Sequence, residues 1–487
     1  MSAPISKLAV ALALDALVAL PLSFFSGAIM ASQASAETAY EAGVRLFGEK
    51  QYAQAKEQFA KAVALNPRDA DAQLMLGESY GSLRQFKQAI DCYGKVLTMR
   101  PGDLTVLKLR AQSCVLSGQC AKAIPDCSAV IKATPNDPWM YEVRAQALKN
   151  VGQLDQALKD LSKTMSLGNK RSWVILFHGK CSLDAMNYQI AMQDFDNVLA
   201  SEPNNTEALL SRCQVYTLLG QSERAVEDAT KAIALDPKGS GYSFRGNAYL
   251  KAGQFNKALA DLTVHLNNFP KDSGAYLERA DAYLGICDYP AAVNDYRKAV
   301  ELDQTKSGPV MDKLTTFFPI AAKQLEQSGD WKTLSVLYTK AIAIFPKVPL
   351  WYKGRALCYY RLKQYQDAIN DCTKIIALSP GYDEAYETRG NLYCRFGQYR
   401  KAIDDLNRAI NLNPNLLGRY KNRASAYLEL KEYEKAIKDY TRVLDIVPED
   451  LESHRKRAQA YEGIGKHDLA LQDLATTKQK SDLLKRQ

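Results

Sequence analysis

Residues Asp383 to Leu416 read DEAYETRGNLYCRFGQYRKAIDDLNRAINLNPNL, and this 34-residue stretch decides how the rest of the chain is read. With Asp383 as position 1, apolar or small residues fall at positions 4, 8 and 11 (Tyr386, Gly390, Tyr393), then at 17, 20, 24 and 27 (Tyr399, Ala402, Leu406, Ala409). That spacing predicts two amphipathic helices. Gly397 breaks the pattern between them and makes a hairpin, and Pro414 stops the second helix before the pattern restarts.

Outward from this stretch the same pattern starts at Ala36, Ala70, Leu104, Pro138, Ser172, Thr206, Gly239 and Ser273, then at Thr315, Pro349, Asp383, Leu417 and Leu451. These are thirteen repeats, spaced by 34 residues apart from one 33-residue repeat before Gly239 and an insertion before Thr315. Ala occupies position 20 in twelve of them, where two helices must approach closely; Leu334 departs. Asp69, Asp103, Asp137 and Asp272 follow or lie near repeat ends as N-caps for the next helix. The predicted organisation is repeats 1–8 over residues 37–306, an inserted loop or hinge at 307–314 that begins with Ser307-Gly308-Pro309, and repeats 9–13 over 315–487. Pro319 predicts a kink in the ninth repeat.

The spacing and residues resemble the tetratricopeptide repeat, a helix-turn-helix unit of this length. The resemblance implies an all-α, right-handed superhelical solenoid that acts as a protein-interaction scaffold. It also implies that the first helices line a concave groove contacting partners from positions 2, 5, 9 and 12. In repeats 3 to 5 these positions hold Thr105, Lys108, Gln112, Trp139, Glu142, Gln146, Trp173, Leu176 and Lys180. Lys108, Gln112, Trp139, Gln146, Trp173 and Lys180 are the candidate peptide-binding set; the alternative is that both tryptophans pack on the preceding repeat. Chaperone-binding members of the family clamp a terminal carboxylate with Lys at position 5 and Asn at position 9. Here Lys353 is followed by Leu357 and Asn391 is preceded by Glu387, which argues against such a clamp.

Position 7 is Arg in nine repeats: Arg110, Arg144, Arg212, Arg245, Arg279, Arg355, Arg389, Arg423 and Arg457. The same nine carry Asp at position 23: Asp126, Asp160, Asp228, Asp261, Asp295, Asp371, Asp405, Asp439 and Asp473. In repeat 5 His178 stands opposite Asp194, and three repeats lose both charges together (Ala42 with Gln58, Leu76 with Cys92, Ala321 with Leu337). In a hairpin turning at position 15 the two positions are equidistant from the turn. Pairing within repeats leaves no charge stranded, whereas pairing between neighbours strands Arg110, Arg355, Asp295 and Asp473. The arginines are therefore expected in structural ion pairs, which argues against nucleic acid as a partner despite a net charge of +9.

Residues 1–36 lie outside the repeat. Lys7 precedes the apolar run Leu8 to Leu20, and Ala34-Ser35-Ala36 has the small-x-small form of a signal-peptidase site, so a cleaved signal peptide and an exported, periplasmic or secreted protein are expected. Asp15 interrupts the run, and the alternative is a membrane anchor over residues 8–30.

The repeats leave no stretch for a catalytic domain, so no enzyme, cofactor or metal site is expected. His178, His265, His454 and His467 fall in different repeats without ligand spacing. Most of the ten cysteines sit at core positions, and Cys114 and Cys120 straddle the turn of the third hairpin, where a disulfide could form. The function expected is a non-catalytic scaffold for protein or peptide partners; the alternatives are a nucleic-acid-binding solenoid or a regulatory subunit of an enzyme complex.

Overall fold

The structure is a computed structural model that describes residues 22–484, with side chains placed for residues 33–478. Residues 1–21, which carry most of the expected signal segment, lie outside the described residues. Among those described, 26 α-helices follow one another in pairs and there is no strand. No described helix is long and apolar enough to cross a membrane.

The reference stretch folds as Asp383–Arg395 and Tyr399–Leu412. The first helix ends in a Schellman motif: the Gly397 amide donates to the Cys394 carbonyl at 3.1 Å and the Gln398 amide to the Tyr393 carbonyl at 2.9 Å. This ending requires a left-handed residue at position 15, and Gly397 supplies it with φ 67°. All thirteen repeats take positive φ there, but six do so without glycine: Lys50, Arg84, Met186, Cys287, Lys363 and Lys431. An L-residue in that region is strained by about 1–2 kcal/mol. Met186 is exposed at φ 61° and has no packing to lose. Met186→Gly is accordingly expected to stabilise its block by about 1 kcal/mol, and Gly397→Ala to destabilise by a similar amount, in urea unfolding.

Helices close on one another through the small position 20, where Ala55, Ala89, Ala123, Ala402 and their counterparts are fully buried. Asp69, Asp103, Asp137 and Asp272 accept hydrogen bonds from the first-turn amides of the helices that follow.

The chain divides into two compact blocks, one ending at Pro237 and the other beginning at Lys238. The division falls at the 33-residue repeat, not at 307–314. Twelve described helices, Leu22–Gly48 to Ser222–Leu235, belong to the first block, and fourteen, Gly241–Lys251 to His467–Leu484, to the second.

The loop expected at 307–314 is helical instead. Gln304–Lys306 forms one 3-10 turn and Ser307–Ser328 a continuous 22-residue helix that runs through Pro319. Pro309 sits in the first turn, where a missing amide costs nothing, so it does not break the helix. Val310, Leu314, Phe317, Phe318 and Ala321 recur at helical spacing and join Tyr296, Leu337 and Trp351 in one apolar cluster.

Candidate functional site

The nine arginines and nine aspartates form a ladder. In each of the nine repeats Nε and Nη2 of the Arg donate to the two carboxylate oxygens of the Asp in the same hairpin, at 2.6–2.9 Å. His178 Nδ1 lies 2.6 Å from Asp194 in the fifth repeat. The hydrogen bonds that Arg389 donates to Asp405 raise its guanidinium above its ordinary value despite burial. At Asp371 burial outweighs Arg355 and pushes the carboxyl up.

Sequence reasoning missed the third contact. Nη1 reaches back to position 25 of the preceding repeat: Arg144 to Ser128, Arg212 to Asp196, Arg279 to Thr263, Arg355 to Thr339, Arg389 to Thr373, Arg423 to Asn407 and Arg457 to Thr441, at 2.7–3.3 Å. These arginines are thus committed to their own array.

The candidate binding residues divide. Gln112, Trp139, Gln146 and Trp173 line one pocket of about 250 Å³ together with Glu142 and Arg171. Lys108 and Lys180 do not line it; Lys108 pairs with Asp137 at 2.5 Å and Lys180 with Glu207. Trp139 packs in part against the core around Met140 and Val143, whereas Trp173 is 39% exposed.

A larger cavity of about 730 Å³ opens between the first helices of repeats 10, 11 and 12, Pro349–Arg361, Asp383–Arg395 and Leu417–Glu429. Its apolar side holds Leu350, 57% exposed, and Leu357, 42% exposed, with Tyr360. Its polar side holds Lys353, bonded to Glu384 at 2.6 Å, and Asn391, whose Oδ1 accepts from Asn422 Nδ2 at 2.8 Å. Burial alone would lower Lys353, but its bonds to Glu384 and Tyr382 prevail and hold it above its ordinary value. Glycine is required at Gly354, because a Cβ there would stand 2.1 Å from the Tyr338 ring. The sequence carried a signal for this site: positions 2, 9 and 12 of repeat 10 are Leu350, Leu357 and Tyr360, apolar at places where solvent-facing residues are ordinarily polar.

Glu387 is not free to bind a partner. It and Asp383 hold the buried Arg419 at 2.6 and 2.7 Å, and Arg419 also donates to the carbonyls of Ala409 and Asn413. Cys114 and Cys120 are free thiols rather than a disulfide. Burial pushes Cys114 up to about 11 and Cys127 to about 12, so they are not nucleophilic near neutrality. The four histidines bond to four different carboxylates, of Asp194, Asp272, Asp473 and Glu462.

Helices in consecutive pairs, a left-handed turn at one position and cavities lined by the first helices define a helical repeat protein. Models of the tetratricopeptide repeat match residues 46–113, 207–238, 245–307, 349–382, 383–416 and 419–450, and the chain belongs to the tetratricopeptide repeat family. Among similar proteins, a DnaJ homolog subfamily C member 7 homolog of Dictyostelium discoideum is 26% identical over 134 residues, 24% of this chain and 25% of the relative. Hsp70-Hsp90 organizing protein 2 of Arabidopsis thaliana is 28% identical over 128 residues, 26% of this chain and 21% of the relative. The chain therefore covers a quarter or less of these relatives' length. Among solved structures, MamA is 25% identical, covering 34% of this chain and 97% of that one, with a TM-score of 0.33. The Cut9-Hcn1 hetero-tetramer of APC/C is 16% identical, covering 94% of this chain and 98% of that one, with a TM-score of 0.35.

Proposed function

We propose that this chain is an exported, non-catalytic scaffold that holds a protein partner as an extended segment in the cavity of repeats 10 to 12. The observation that carries the reading is the pairing of exposed Leu350 and Leu357 with the Lys353–Glu384 and Asn391–Asn422 contacts in one cavity of about 730 Å³. Apolar anchors beside a few placed polar groups are what a binding cleft needs. Similarity to Hsp70-Hsp90 organizing proteins supports a role in bringing proteins together. The nine ladder arginines, already bonded to aspartates, speak against nucleic acid as the ligand.

Leu357→Asp places a charge among the apolar anchors without touching a fully buried position. Partners captured from the host by the wild-type chain are expected to be lost from this variant while its helical circular dichroism is unchanged; retention of the same partners would overturn the site. Export rests on Ala34-Ser35-Ala36, and N-terminal sequencing of protein from the host is expected to begin at Glu37. An intact Met1 start on cytosolic protein would remove that part of the reading.

A further inference from the structure

The pocket of about 250 Å³ in repeats 3 to 5 lies in the first block, apart from the cavity of repeats 10 to 12, and it contains an unusual carboxylate. Glu142, on the helix Pro138–Asn150, is only 2% exposed. It accepts from Asn169 Nδ2, and among the described residues its one cationic partner is Arg171, whose Nη2 donates to its two oxygens at 3.3 and 3.4 Å. A seated guanidinium–carboxylate pair lies at about 2.7–2.9 Å, as the ladder pairs of this chain do. Arg171 is instead 61% exposed, tethered through Nε to Asn169 Oδ1 at 2.9 Å, with its guanidinium 5.3 Å from the centre of the Trp173 ring. A buried carboxylate is thus held by its cation through longer bonds than those of the ladder.

The other lining groups suit a cation too. Trp139 and Trp173 offer aromatic faces, on which a guanidinium is attracted by the ring quadrupole. The side-chain amides of Gln112 and Gln146 line the same pocket and supply carbonyl acceptors. A planar fork that both stacks and donates in two directions uses these groups better than an ammonium does.

We propose that this pocket receives the side chain of an arginine from a protein partner, on Glu142 and between Trp139 and Trp173, and that Arg171 is an intramolecular stand-in which the incoming arginine displaces. The site does not depend on the reading of repeats 10 to 12, since the two are assayed with different ligands and different variants.

The test uses the full chain and the peptide acetyl-Gly-Arg-Gly-amide, titrated by tryptophan fluorescence, with the citrulline and glutamate peptides as comparisons. Citrulline keeps the shape of arginine and lacks its charge. Saturable quenching by the arginine peptide is expected, reduced in Trp173→Phe where Trp139 alone reports from the pocket, with the citrulline peptide bound about tenfold more weakly. Arg171→Ala removes the competitor and is expected to tighten arginine binding about tenfold, whereas Glu142→Gln weakens it about tenfold or more. Because Glu142 is buried, Gln112→Ala with Gln146→Ala serves as a second variant, expected to weaken binding severalfold with unchanged circular dichroism. No saturable binding of the arginine peptide overturns the proposal. So does equal affinity for citrulline, or Arg171→Ala that leaves binding unchanged or weakens it. Preferential binding of the glutamate peptide would make Arg171 the ligand-binding group and overturn it as well.

Discussion

Arg389→Leu is expected to destabilise the second block by about 3 kcal/mol, because it leaves Asp405 buried with no cation to face. The size follows from the asymmetry of a buried ion pair: desolvating both charges nearly cancels their attraction, but removing one leaves the whole cost of the other. Arg389→Leu with Asp405→Leu should recover most of the loss. The chain contains the precedent, since Leu76 and Cys92 share one apolar cluster where the second repeat lacks both charges, and Ala321 and Leu337 share another in the ninth. Urea midpoints of the two variants and the wild type decide it; a single variant as stable as wild type would refute the argument.

The second large effect is one of pH. Glu278, on the helix Ser273–Gly285, accepts from Asn247 through Oε1 at 2.6 Å, while its buried Oε2 has no hydrogen-bond partner among the described residues. Burial raises its carboxyl from the ordinary 4.5 to about 7, against the pull of Asn247 and with Asp272 and Asp281 adding to the rise. A carboxyl raised on folding contributes stability that is complete below 4.5 and is lost as pH rises through about 7. That gap corresponds to about 3 kcal/mol. Glu278→Gln is therefore expected to unfold at higher urea than wild type at pH 8 and to lose most of that advantage at pH 4.5. An equal difference between the two proteins at both pH values would show that the carboxyl does not titrate this way.

Much of this fold was legible because a solenoid writes the same solution many times. Arg at position 7 and Asp at position 23 disappear together, so their partnership could be read without coordinates. The contact to position 25 was equally present in the letters: Ser128, Thr373 and Asn407 precede repeats with Arg, and Arg297 precedes the repeat that has Ala321 instead. Position 25 varies among Ser, Thr, Asn and Asp, so no single residue type marks it as a partner of the arginine. At the insertion, Ser307-Gly308-Pro309 suggested a loop by residue type, while the apolar spacing from Val310 to Ala321 was already helical. Position 15 was not legible from residue type, since Lys363 and Met186 adopt a left-handed backbone that favours glycine.

The candidate site was the least legible part. Thirteen first helices present similar positions, and which of them opens into a cavity depends on how neighbouring rings fall, as Tyr338 against Gly354 shows. The tryptophans of repeats 4 and 5 drew attention by rarity, and they do share a pocket. The lysines beside them are taken by Asp137 and Glu207, contacts that span 29 and 27 residues and cannot be ranked against partner binding from spacing alone.

The arginine fork also sets the grain of unfolding. Arg389 ties Thr373, on the second helix of one repeat, to Asp405, on the second helix of the next, and the helix bearing Arg389 lies between them in sequence. Peeling that middle helix alone would strand a carboxylate on one side and release a hydroxyl on the other. Peeling only the helix bearing Asp405 would leave a guanidinium half bonded. Neither half-step is a resting place, so an array of this kind should fray by whole hairpins, like a zipper whose teeth are 34 residues wide.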